Sequence, residues 1–210
     1  MSGLIRRAKK GFLDADIDLL ADDIKLALVD LATLVGTHCR VISDATNAAP
    51  SVITSNAHGF TDGDVLTIVG ATGNTNINGL RVVANSDTNT FELTDIDGTA
   101  IDGNGAFGGT CYAVNLSTLD FYDDISAAVV DVSGNLGTKT TTDGYFHFAP
   151  ATFAEADGAV CQLVMAFDDT PALASDKWLV AADDEAANLP VDPNGGDITY
   201  TPHANGMFVL

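Results

Sequence analysis

The chain has 210 residues and a formal charge of −20 at pH 7, with 29 acidic and nine basic side chains. Four of the nine, Arg6, Arg7, Lys9 and Lys10, lie in the first ten positions, so the other residues carry five cations against all 29 anions. Such a body cannot neutralise phosphates, which excludes nucleic acid as its partner. The acidity serves solubility first.

Hydrophobic content of 46% supports a packed core, and 20 glycines with little lysine favour strands and turns over helices. No run approaches the ~20 apolar residues of a membrane span, and the first residues lack the apolar segment of a signal peptide. A soluble protein with no membrane partner is expected. Cys39, Cys111 and Cys161 are odd in number and far apart. They suit buried thiols in a reducing compartment, not a disulfide framework or a paired metal site.

In chain order, the first element is a helix. Leu4, Ile5, Ala8 and Phe12 share one face, Ser2 can cap it, Gly11 can stop it, and the basic residues take the other faces. Residues 22–30 read as a strand in which Ile24, Leu26 and Leu28 form a wholly apolar face and the other face is mixed. A small, polar stretch follows, SDATNAAP. From Ser51 to Val114 short apolar runs recur at Val52–Ile53, Val65–Val69, Leu80–Val83, Phe91–Leu93 and Cys111–Val114, separated by Gly, Asn and Asp clusters. This spacing predicts a small barrel or sandwich. Beyond Leu119, six more strands are expected in DISAAVVDVSG, YFHFAPATF, AVCQLVMAF, KWLVAA, DITYTP and GMFVL. Pro190 and Pro193 with Gly195 and Gly196 mark a loop.

The expected fold is therefore all-β. A β-sandwich-like host with a short N-terminal helix would be built from residues 1–48 and 114–210. A small β-barrel module, 49–113, would be inserted in one of its loops, where loop-closure entropy makes insertion cheap.

Sites of chemistry are not evident. FELTDIDGTAIDGNGAFGG, residues 91–109, crowds acids and glycines like a calcium loop. With Asp95 first, however, Ala100 stands where Gly is required and Ala106 where Glu is required. Asp97-Gly98 reads instead as a turn with positive φ at the glycine. His38, His58, His147 and His203 include no pair at helical ligand spacing. There is no nucleophile elbow, and GNLGTKT lacks the phosphate-loop spacing. The pairs Asp22-Asp23, Asp123-Asp124, Asp168-Asp169 and Asp183-Asp184 lie at the ends of apolar runs, as strand boundaries and solvated loops do. A sugar site needs stacked aromatics, and Trp178 is the one tryptophan. No enzyme, cofactor or metal is expected.

One resemblance stands on a run of motifs: His58-Gly59, Gly63-Asp64-Val65, Asn78-Gly79 and the stretch Phe91–Gly98, FELTDIDG. This block resembles a small β module of tailed-bacteriophage virion proteins. It is also similar to the module in the first catalytic-cysteine half-domain of ubiquitin-activating enzymes. The flanks resemble small phage virion structural proteins, through FLDADIDLLADDIKLALVD, LDFYDDISAAVVDVSG, TTDGYFHFAPATF and LVMAFDDTPALASDKWLVAADD. In the last hairpin Tyr200-Thr201-Pro202-His203 departs from that family's pattern. Pro202 cannot donate to a ladder, which implies an edge or bulged strand there.

The resemblance implies a virion structural protein, assembled in the bacterial cytoplasm. A capsid decoration (cement) protein is favoured, and a tail or head–tail junction component is the alternative. Implied partners are the major capsid protein or neighbouring virion proteins, with a homo-oligomer, a trimer for preference. The N-terminal helix would be the anchor, with Leu4, Ile5 and Phe12 buried against the partner and Arg6, Arg7, Lys9 and Lys10 facing acidic surface. On that expectation residues 1–12 can be removed without unfolding the body.

Overall fold

A computed structural model describes residues 3–186 and 188–209. The protein is mainly β, as the composition and run spacing imply. It divides into two units, Met1–Leu34 with Leu119–Leu210, and Val35–Thr118.

The first unit begins with β1 (Gly3–Leu4), helix α1 (Arg6–Asp14), β2 (Ile24–Val29) and a short helix α2 (Leu31–Leu34). The second contributes β3 (Cys39–Ile42), β4 (Asp44–Ala45), β5 (Val52–Thr54), β6 (Val65–Val69), β7 (Thr72–Gly73), β8 (Gly79–Ala84), β9 (Thr90–Thr94), β10 (Phe107–Gly108) and β11 (Cys111–Asn115). The first resumes with β12 (Val129–Val132), β13 (Thr140–Thr142), β14 (Tyr145–His147), β15 (Ala151–Asp157), β16 (Leu163–Asp168), β17 (Leu179–Asp183) and β18 (Asn194–Tyr200).

The inserted unit starts at Val35, not at residue 49, and ends at Thr118, not 113. The reason is pairing. β3 pairs antiparallel with β11 and β4 with β5, so the stretch read as a polar linker belongs to the insert's own sheet. That sheet runs β3-β11-β6-β8-β9-β5-β4. Its two ends are halves of one strand, which passes from β11 to β5 at Ser43, where Ser43 N–H donates to Thr54 O at 2.9 Å. The sheet therefore closes on itself. Its interior holds Ile53, Leu66, Ile68, Phe91, Leu93 and Cys111, each at most 1% exposed. Phe91 and Leu93 point inward because side chains alternate along β9.

The first unit centres on an antiparallel sheet ordered β1-β17-β16-β2-β12. Both faces of β2 and β16 are covered, which explains why Ala27, Val29, Val164 and Ala166 are as buried as their alternating neighbours. β15 and β18 form a ribbon that makes a second layer. The paired residues Leu28 and Val164 and the paired residues Phe153 and Ile198 line one cavity between ribbon and sheet.

Four expectations change here. α1 starts at Arg6 because Ile5 is extended and donates its N–H to Val180 O at 2.9 Å; the cap expected at Ser2 lies outside the described residues. Gly11 does not stop the helix. It is buried inside α1, where a Cβ would sit 2.6 Å from Ile17 Cδ1, and the helix ends at Ala15 with φ 60°. Gly195 and Gly196 lie within β18, in a ladder whose register shifts, and the loop ends before them. Pro202 falls beyond β18, and the strand expected in GMFVL reduces, over the described residues 206–209, to an isolated bridge of Val209 with Tyr145, with Phe146 N–H donating to Phe208 O at 3.0 Å.

Candidate functional site

The residues expected to anchor the chain separate into two sets. Leu4 pairs with Ala181 in the sheet, Ile5 is fully buried, and Phe12 is half-buried. These apolar groups pack within their own unit, since α1 lies against β17. Arg7 is also engaged. Its guanidinium meets Asp120 at 2.6 Å and lies 5.0 Å from the Phe121 ring and 5.7 Å from the Trp178 ring.

Arg6, Lys9 and Lys10 face outward, with Lys10 paired to Asp14 one turn on. Leu13 continues the same face at 86% exposure. The sequence set missed Leu13, although its spacing from Arg6 and Lys9 places it on their stripe.

All other basic side chains are engaged. Lys25 and Lys177 share Asp169, at 2.6 and 2.5 Å. These two ammonium groups hold the Asp169 carboxyl below its usual range against the opposing effect of burial, the largest single influence on it. Arg81 pairs with Asp95 at 3.1 Å, Arg40 donates to Gly36 O, and Lys139 donates to Asp22 O. Among the described residues, Arg6 and Lys9 are thus the cations left facing solvent without a partner.

The acid and glycine stretch resolves into packing. Gly98 has φ 86°, Asp95 N–H donates to Thr99 O at 2.8 Å, and Asp97 Oδ1 accepts from Thr99 N at 2.9 Å. That last bond lowers the Asp97 carboxyl below its usual value. Downstream, asparagine side chains replace strand pairing. Fully buried Asn74 donates to Thr46 O at 3.1 Å and accepts from Asn104 N at 3.1 Å. Asn78 exchanges two bonds with the Ala71 backbone, at 3.0 and 2.9 Å. Gly70 and Gly73 lie so close to Thr110 O and Ala106 O that a Cβ on either would overlap.

His58 is buried in the barrel. Its Nδ1 accepts from Phe60 N at 3.0 Å, its Nε2 faces Thr90 O at 3.3 Å, and its ring meets Phe91 edge-on. His38 bonds Thr118, and His203 accepts from Asn205 N. No group of three or more His, Cys, Asp or Glu is placed to hold a metal ion among the described residues. Cys111 and Cys161 are fully buried, and burial pushes both thiols up to about 12, which keeps them protonated.

Two of the acidic pairs differ from their reading as solvated boundaries. Asp168 is 1% exposed, accepts from Thr170 N at 2.9 Å, and has its carboxyl raised by burial. Asp183 is 6% exposed and accepts from Tyr200 Oη at 2.5 Å and from Glu185 N at 3.0 Å. Both are joints between elements, reached because a short Asp folds back on nearby N–H groups.

The cavity between ribbon and sheet measures about 80 Å³. This is well below the roughly 300 Å³ at which small-molecule sites begin. No described helix is long and apolar enough to cross a membrane. No protein-family model matches this sequence, and neither does any curated protein. Fold and surface together define a class: an all-β protein of two units that presents a basic helix face on an acidic body.

Proposed function

We propose that this chain is a structural component of a tailed-bacteriophage particle, acting as a decoration protein that binds the outside of the head and braces neighbouring capsid subunits. The observation that supports this most is what the motif residues do. Gly63 turns with φ 90°, Asp64 accepts from Thr61 N and Asn115 Nδ2, both at 2.9 Å, and His58, Asn78 and the Phe91–Gly98 stretch pack or turn the same closed barrel. These marks of the inserted block have mechanical roles within one unit, as a module kept for shape requires.

The docking face in this reading is the outer stripe of α1, Arg6, Lys9, Lys10 and Leu13, because the apolar face of that helix is occupied. Each exposed ion pair contributes little. Repetition over a symmetric lattice sums many weak contacts.

Averaged images of particles labelled on this protein test the reading. Density at lattice positions on the head is the expected result. Density confined to the tail overturns the head assignment in favour of a tail or junction component, and absence from purified particles overturns the whole reading.

A further inference from the structure

We propose that the outer face of α1 in one copy docks on the β15–β18 ribbon of a second copy, head to tail. The proposal rests on the assembly part of the function above and gives its docking face a neighbouring copy, rather than a capsid subunit, as partner.

Charge complementarity selects the occupant. Arg6 and Lys9 are exposed, have no partner among the described residues, and share a stripe with Lys10 and the 86%-exposed Leu13. The ribbon is the opposite surface. Glu155, Asp157 and Asp197 are exposed on it, and Asp192 is exposed just before it. The sequence has no Lys or Arg between Lys139 and Lys177 and none after Lys177. Among the described residues none of those carboxylates holds a cation, and Asp197 accepts only from Glu155 N at 3.0 Å, whereas Asp95, Asp120 and Asp169 each hold one. Ala154, Thr152 and Thr199 are exposed on the same two strands and give Leu13 small neighbours to pack on.

Within one copy α1 lies against β17, and the ribbon lies over the sheet, against β12 through β15 and against β17 through the Tyr200–Asp183 bond. Among the described residues the ion pairs of α1 are Arg7 with Asp120 and Lys10 with Asp14, neither on the ribbon, so the contact proposed is one between copies. A contact of unlike patches is heterologous, so it closes into a ring or extends as a row. Net charge does not forbid it: at about 0.15 M salt the Debye length is ~8 Å, so distant charges are screened while touching groups are not.

The test uses the full chain and two charge reversals, Arg6→Glu with Lys9→Glu, and Glu155→Lys with Asp197→Lys. Sedimentation over a concentration series at about 0.15 M salt reads association. The wild-type chain associates, each reversed variant alone does so roughly tenfold more weakly, and an equimolar mixture of the two regains assembly, since acidic helix then meets basic ribbon. A wild-type chain that stays monomeric, a reversed variant that assembles as well as wild type, or a mixture that fails to recover overturns the proposal. Failure here leaves the virion reading standing, because a docking face can serve another virion protein; absence from particles leaves the self-contact standing.

Discussion

Tyr200 donates a 2.5 Å hydrogen bond to Asp183, and the two side chains are 4% and 6% exposed. The bond joins β18 in the ribbon to β17 in the sheet, so it crosses the two layers of the first unit. Tyr200→Phe keeps the ring and leaves a buried carboxylate oxygen without its donor. Loss of such a bond to a charged group costs about 2 kcal/mol. Urea unfolding should show a lowered midpoint with an unchanged slope, and an unmoved midpoint would remove this bond from the account of how the layers hold together.

Alkaline pH should destabilise the protein before any arginine titrates. The thiols of Cys111 and Cys161 rise from 9.0 to about 12 through burial, and burial with the Asp183 charge raises the Tyr200 phenol above its ordinary 10. Between these limits the unfolded chain has released protons that the folded chain keeps. The contribution of these three groups is therefore level below pH 9 and falls from there toward 12, by about 1.4 kcal/mol per pH unit for each thiol. Denaturant midpoints at a series of alkaline pH values check this, and Cys161→Ala should flatten the slope.

Two glycines with positive φ should respond differently to alanine. Gly73 has φ 76° and its Cβ would overlap Ala106 O, whereas Gly98 has φ 86° with nothing within 4 Å of the added carbon. Gly98→Ala carries backbone strain alone, about 1 kcal/mol. Gly73→Ala must also push two backbone segments apart, so its loss should exceed about 3 kcal/mol. Equal losses would show that the β7–β10 crossing gives way easily.

Removing residues 1–12 should unfold the first unit. The truncation deletes β1 from its pairing with Ala181 and Ala182 and takes away fully buried Ile5 and Ala8. The exposed variant Lys9→Glu, by contrast, should leave the melting temperature within about 2 °C. A truncated chain that melts cooperatively near the wild-type temperature would restore the helix as a detachable anchor.

The barrel strands were legible because their signal is local. Val65–Val69 is β6 residue for residue, and Phe91 with Leu93 takes the inward positions that alternation assigns. The Asp97-Gly98 turn was legible for the same reason, since φ at Gly98 follows from the dipeptide. The boundary at Val35 was not, because β4 is two polar-looking residues whose strand state depends on β5. Gly11 misled for a similar reason. A glycine inside a helix signals a stop unless a distant side chain, here Ile17, needs the space. The docking set was half legible: helical periodicity separates two faces, but only the tertiary packing of β17 decides that the apolar one turns inward.

One strand serving both ends of the barrel sheet has a consequence for life at high local concentration. An open seven-strand sheet would offer two long rows of unpaired N–H and C=O groups, which recruit strands from neighbouring molecules. Here the row is interrupted at Ser43, where the strand changes partners, so any remaining gap is only a few residues long. Copies of this unit can crowd together without zipping sheet to sheet. Contacts made through this unit are then left to side-chain chemistry, which mutation can tune.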